Sequence, residues 1–92
     1  MFVTKQASRI VSTGNKTLTS TVKSFTLDTK GLSAKLRTGG NADCYLTAEG
    51  ESAGTGGYHI GAAEEIEFSG KASIYYNGET NAVVSYLLYD LI

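Results

Sequence analysis

The densest group of residues that could do chemistry is acidic. Glu64, Glu65 and Glu67 could supply a general acid and a general base, or could bind a hard cation. On a strand, however, Glu65 and Glu67 share one face, opposite Ile66 and Phe68, which is the pattern of a solvated face. Calcium loops also need several oxygen ligands at loop spacing, and the few Asp of this chain are scattered. We therefore expect surface carboxylates and no metal site.

The single histidine and the single cysteine complete the reactive residues. His59 has no Cys or carboxylate partners at the spacing of a zinc site, and no recognisable nucleophile accompanies it. Cys44 cannot form an intrachain disulfide and is expected to be a small buried apolar residue. The glycines of residues 50–57 match no phosphate-binding motif. The sequence therefore predicts no catalytic residue and no cofactor, and a small hydrolase would depend on His59 and the glutamates alone.

Length and charge narrow the function classes further. With 92 residues, the chain is expected to be one domain, residues 1–92, with a thin core that burial against a partner would help. The net charge is −1 and no dense basic cluster is present, so we expect no nucleic-acid partner. No apolar run approaches the roughly 20 residues that span a bilayer, so we expect no membrane partner.

The elements that must position these residues are indicated by short alternations of apolar and polar residues. In residues 31–38, Leu32, Ala34 and Leu36 share one side, and residues 43–49 alternate in the same way. Turn signals recur about every 8 to 12 residues without a sustained helical period, which indicates an all-β fold. We expect an antiparallel, jelly-roll-like β-sandwich of seven or eight short strands with no long helix.

Glycine and asparagine mark the expected connections, because both tolerate positive φ. The predicted turns and hairpin-type connections lie at residues 13–15, 28–31, 39–41, 69–70 and 77–78. The small and polar residues at positions 50–57 indicate a flexible loop. Residues 17–27 are expected to form one strand whose parity breaks near Ser24, which implies a bulge or a corner there.

The last ten residues, 83–92, are apolar on both faces. A strand with one wet face alternates, so this strand must be covered on both sides, by its own domain or by a partner. The tyrosines nearby are residues typical of interfaces. The candidate subunit interface comprises Tyr75, Tyr76, Val84, Tyr86, Leu88 and Tyr89. Parity alone leaves two sets open for the face that meets the partner. One set is Val84, Tyr86 and Leu88, and the other is Val83, Leu87 and Tyr89.

A family resemblance begins at Leu36. Residues 36–46 (LRTGGNADCYL), 58–65 (YHIGAAEE), 72–78 (ASIYYNG) and 83–89 (VVSYLLY) follow one another in an order of strands and turns. This order resembles the small β-sandwich structural proteins of tailed bacteriophages. Ala63 stands where that family usually has glycine.

The resemblance implies a non-enzymatic virion component, such as a capsid decoration protein, a head-fibre base or a neck or tail accessory protein. It implies a homo-oligomer that contacts other virion proteins, such as the major capsid protein, after synthesis in the cytoplasm of the host bacterium. An alternative is a carbohydrate- or receptor-binding β-sandwich, suggested by the tyrosine content, including Tyr58 and Tyr75, and by the loop at residues 50–57.

Overall fold

The computed structural model describes residues 8–40, 43–79 and 81–91, which form a single antiparallel sheet and contain no helix. The strands are β1 (Ser8–Leu18), β2 (Ser24–Thr38), β3 (Cys44–Ala48), β4 (Tyr58–Ile60), β5 (Glu65–Tyr76) and β6 (Ala82–Leu91). Their order in the sheet is β1-β6-β2-β5-β3-β4. The expected all-β, antiparallel architecture is confirmed, with six strands in the described residues rather than seven or eight.

The two longest strands, β2 and β5, connect two halves of this sheet. Residues 33–37 of β2 pair with residues 65–69 of β5, and this part of β2 also pairs with β6. Residues 24–28 of β2 pair with residues 71–75 of β5, and this part of β5 also pairs with β3. One half of the sheet therefore contains β1 and β6, and the other contains β3 and β4.

Between the halves, both long strands contain residues with positive φ. Lys30 has φ of 52°, Gly31 of 84° and Gly70 of 102°. The Lys30 amide donates to Asp28 Oδ1 at 2.9 Å, and the Gly70 amide donates to the buried Thr29 hydroxyl at 2.7 Å. The turns predicted at residues 28–31 and 69–70 are therefore wrong. These glycines lie within continuous strands, because positive φ serves a bulge as well as a chain reversal.

The irregularity in β2 also changes which residues face the core. Leu27 is buried before it, whereas Ala34 and Leu36 are buried after it, so the inward parity switches from odd to even. Both halves of the sheet therefore contribute to one core. Its buried apolar side chains include Leu18, Leu27, Ala34, Leu36, Cys44, Ile60, Ile74, Tyr76, Ala82 and Val84. Burial of Cys44 confirms the prediction for that residue.

The single strand predicted over residues 17–27 is wrong, because β1 ends at Leu18 and β2 begins at Ser24. The hydroxyl of Thr19 accepts the amides of Thr21 and Val22 at 3.1 and 3.0 Å, which forms a turn between the two strands. In a single strand, Leu18 and Leu27 would point to opposite faces. They are both buried because they belong to different strands.

Gly14 is not in the predicted turn at residues 13–15 but inside β1. Its register partner on β6 is Tyr86, whose ring lies over the glycine. A Cβ on Gly14 would lie 2.5 Å from Tyr86 Cζ, so the glycine provides room for the aromatic ring.

The two connections predicted to be of hairpin type, at residues 39–41 and 77–78, join strands that are not neighbours in the sheet. The segment at residues 39–41, of which residue 41 lies outside the described residues, leads from β2 to β3, and residues 77–78 lead from β5 to β6. Among the described strands, only β3 and β4 are both consecutive and paired. Their connection contains residues 50–57, which confirms the predicted loop.

Candidate functional site

The three glutamates predicted as surface carboxylates are exposed. Glu65 and Glu67 are exposed on β5, whereas Ile66 and Phe68 pack against the core from the opposite face. Glu67 accepts a hydrogen bond from the Tyr89 hydroxyl, which raises the pKa of that tyrosine above its ordinary value. Among the described residues, no group of three or more His, Cys, Asp and Glu side chains is placed to hold a metal ion.

His59 lies on β4 and contacts Asp43 rather than a glutamate. Its Nε2 donates to Asp43 Oδ1, and its ring centroid lies 5.2 Å from that of Tyr45, with the planes inclined by 41°. Glu64 instead accepts the Gly61 amide at 2.5 Å. The residues on which a hydrolase would depend are therefore not brought together.

Cys44 is sealed inside the core. Burial, and to a smaller extent the negative charge of Asp43, together raise the pKa of its thiol to about 11. Because the thiolate is the nucleophilic form, this environment suppresses the reactivity of the cysteine.

The structure separates the six residues predicted for the subunit interface into two groups. Tyr76 and Val84 are buried in the chain's own core, and Tyr86 and Leu88 pack against that core. Tyr76 and Val84 therefore have little surface left for a partner, whereas Tyr86 and Leu88 are partly buried on the inner face. The remaining two, Tyr75 and Tyr89, lie on the outer faces of β5 and β6.

The burial of Val84 shows which of the two sets on β6 faces away from the core. Val83, Leu87 and Tyr89 lie on the outer face, and Ile10 of β1 is the register partner of Tyr89. Ile10 and Val83 are 63% and 43% exposed, respectively, and the other two side chains are partly exposed. We call these four residues the β1–β6 outer patch.

The open edge of β1 is less suited to pairing than this face. In the described residues β1 pairs with β6 alone, but its register shifts between Ile10 and Ser12. Arg9 also forms an exposed ion pair with Asp90 at 2.9 Å, and Lys16 lies further along the strand. Bulges and charges are the features that keep edge strands from adding further strands.

A second outer feature, which the sequence analysis missed, lies on the other half of the sheet. Tyr45 of β3 is the register partner of both His59 on β4 and Tyr75 on β5. Directly opposed residues share a face, so the three rings form one row across three strands. We call this row the aromatic ladder. Each ring has the same parity relative to its buried neighbours, but the sequence does not reveal which strands are adjacent.

A pocket of about 400 Å³ lies between the β3–β4 loop and β5. Leu46, Ala48, Phe68 and Ala72 line its apolar part, and Tyr58, which is 67% exposed, stands at its rim. The apolar part suits an apolar group, and Glu51 and Lys71 add one charge of each sign to the lining.

Comparison with models of protein families, with curated proteins and with solved structures gave no match. The described part of the chain contains no helix that is long and apolar enough to cross a membrane.

Proposed function

We propose that this chain is a non-enzymatic structural protein of a tailed-bacteriophage virion, a capsid decoration or head-associated accessory protein that assembles as a homo-oligomer. The observation that carries the assembly is the β1–β6 outer patch. The virion assignment comes from the sequence resemblance, and the site geometry is compatible with it because Glu64 and Glu67 hydrogen-bond to groups other than His59, and Cys44 is buried.

The outer patch is unusual for the solvent side of an antiparallel sheet. Such faces are normally polar, and large contiguous apolar patches on a soluble protein mark interaction sites. Here Ile10 and Tyr89 are directly opposed on neighbouring strands, Leu87 extends the apolar surface along β6, and Val83 lies beyond Ser85, which hydrogen-bonds to Asn15. Burying this surface against a second copy would add to the thin core of a small domain.

The rows beside the patch are charged and contain both signs. On the same face, Lys35 is the register partner of Glu67, and Arg37 is the register partner of Glu65. An apolar centre with a charged rim is the usual composition of a protein interface. Because both signs are present, a two-fold contact can place each cation near a carboxylate of the other copy.

The common core also supports a sandwich. Leu36 and Val84 come from the half that contains β6, whereas Ile74 and Ile60 come from the half that contains β3 and β4, and all belong to one buried cluster. We propose that the two halves pack face to face as the layers of a jelly-roll-like β-sandwich.

Sedimentation velocity at micromolar concentration tests the assembly. The wild-type chain is expected to sediment as an oligomer, whereas Ile10→Glu and Val83→Glu place a carboxylate in the patch and should yield monomers. Val22→Glu is the matched control, because Val22 is 55% exposed in the turn between β1 and β2. A wild-type monomer, or an oligomer that persists in both patch variants, would contradict the proposed interface.

The virion assignment has a separate test. Genes for capsid and portal proteins are expected on either side of the gene for this chain, and the purified protein should bind particles that lack it. A gene neighbourhood without virion genes, together with no binding to such particles, would refute the assignment.

A further inference from the structure

We propose that the aromatic ladder is a binding site for a neutral carbohydrate. Tyr45, His59 and Tyr75 stand in one cross-strand row on the outer face of β4, β3 and β5. Neighbouring strands lie about 4.8 Å apart, so the row extends across roughly 10 Å of the sheet. This length can accommodate more than one sugar ring.

The ladder is accessible and partly pre-organised. The side chain of His59 is 53% exposed, and both tyrosines are partly exposed. The hydrogen bond from His59 to Asp43 fixes the imidazole at one end of the row, 5.2 Å from the ring of Tyr45. Restricting a ring before the ligand arrives reduces the entropy lost on binding.

The chemistry of this surface matches the two kinds of face that a pyranose presents. The C–H face of the sugar can lie on the aromatic rings, which combine apolar area with polar atoms. Its hydroxyls can donate to Asp43, whose Oδ2 makes no hydrogen bond within the described part of the chain. Thr26 and Ser73, joined at 3.3 Å, add two hydroxyls in the adjacent row.

The charges around the ladder disfavour nucleic acid, the other class of ligand that stacks on aromatic side chains. Three acidic residues, Asp28, Asp43 and Glu49, lie in this region, against the two cations Lys71 and Lys23, the latter next to the register partner of Tyr75. Lys71 is the register partner of Asp28 and lies 3.8 Å from Glu49. A phosphate backbone would therefore meet net negative charge, whereas a neutral sugar would not.

The ladder is separate from the other features described above. In the sheet order, β3 and β4 lie at the end opposite β1 and β6, so the proposed assembly leaves the ladder uncovered. Tyr58 precedes His59 on β4 and points to the opposite face, at the rim of the apolar pocket. Assembly and carbohydrate binding can therefore be confirmed or refuted independently.

The experiment titrates the ¹⁵N-labelled full chain with neutral hexasaccharides of glucose, of galactose and of N-acetylglucosamine. Saturable shifts are expected at the amides of Tyr45, His59 and Tyr75 for at least one of these sugars. Removing a ring by His59→Ala or Tyr75→Ala should weaken that binding about tenfold. Tyr58→Ala is the matched control, and its affinity should stay within about twofold of wild type.

Two further measurements separate loss of the site from loss of the fold. Each variant is melted thermally, and His59→Phe, which keeps a ring at the exposed position, should retain binding. The absence of saturable shifts with all three sugars would overturn the proposal. So would binding that Tyr58→Ala abolishes while His59→Ala preserves it, or saturable binding of oligothymidylate at the ladder without binding of any sugar.

Discussion

Gly57→Ala is expected to destabilise the fold, although the substitution adds a single methyl group. Gly57 immediately precedes β4, where the chain passes close to β3. A Cβ there would lie 2.5 Å from the carbonyl oxygen of Leu46 and 2.7 Å from Thr47 Oγ1. The first of these atoms belongs to the backbone of a paired strand, so it cannot move aside without disturbing the pairing of β3.

The expected cost follows from two opposing effects. Overpacking a close contact typically costs about 1 to 3 kcal/mol. Replacing glycine by alanine also restricts the unfolded chain, which stabilises the protein by about 0.4 to 1 kcal/mol where the native backbone accepts a side chain. For Gly57→Ala, we therefore expect a net loss of about 1 to 2 kcal/mol in the free energy of unfolding.

Gly56→Ala is the matched control, because a Cβ on Gly56 would meet nothing within 4 Å. The unfolded-state effect then acts alone, and the variant should be about 0.5 kcal/mol more stable than wild type. Urea unfolding followed by circular dichroism measures both variants. If Gly57→Ala is as stable as Gly56→Ala, the proposed close approach of Gly57 to β3 is wrong.

The remaining predictions concern three buried or hydrogen-bonded side chains. Thr47→Val should raise the free energy of unfolding by about 1 kcal/mol in a urea melt, because the buried Thr47 hydroxyl has no hydrogen-bond partner among the described residues; a loss of stability would reveal such a partner. Cys44, with its pKa raised to about 11, should react with a thiol reagent at pH 8 only after unfolding, so rapid labelling of the native protein would contradict its burial. The hydrogen bond to Glu67 raises the pKa of Tyr89 in the folded protein. The hydrogen bond therefore contributes fully to stability below a pH of about 10, the ordinary pKa of tyrosine, and this contribution is lost as the pH rises through the raised pKa. Glu67→Gln should lower that pKa in an alkaline absorbance titration, and an unchanged titration would exclude the proposed effect.

Which residues of a strand are buried and which are exposed could be predicted from local sequence, because side chains alternate between the two faces with a period of two. Ala34 and Leu36 are buried as their alternation predicts, and Ile66 and Phe68 pack against the core opposite the exposed Glu65 and Glu67. The connections could not be predicted in the same way. A glycine such as Gly70 signals positive φ, but the same backbone angle occurs in a turn and within a bulged strand.

The candidate sites also depend partly on local sequence and partly on the pairing of strands. The outer patch was one of two alternatives for residues 83–92, and choosing Val83, Leu87 and Tyr89 required the pairing of β6 with β2 and the burial of Val84. The aromatic ladder requires strand order as well as parity. Tyr45 and Tyr75 are far apart in the chain, and they become register partners only because β3 pairs with β5 rather than with β2.

The sequence by itself therefore determined the all-β class, the burial of Cys44 and the loop at residues 50–57, since each follows from the periodicity or residue type of a short segment. Only the tertiary structure decided which strands are neighbours, which face of β6 is outward and which rings stand together. Those properties depend on contacts between residues distant in the chain, and turn residues and parity specify neither the partner of a strand nor its register.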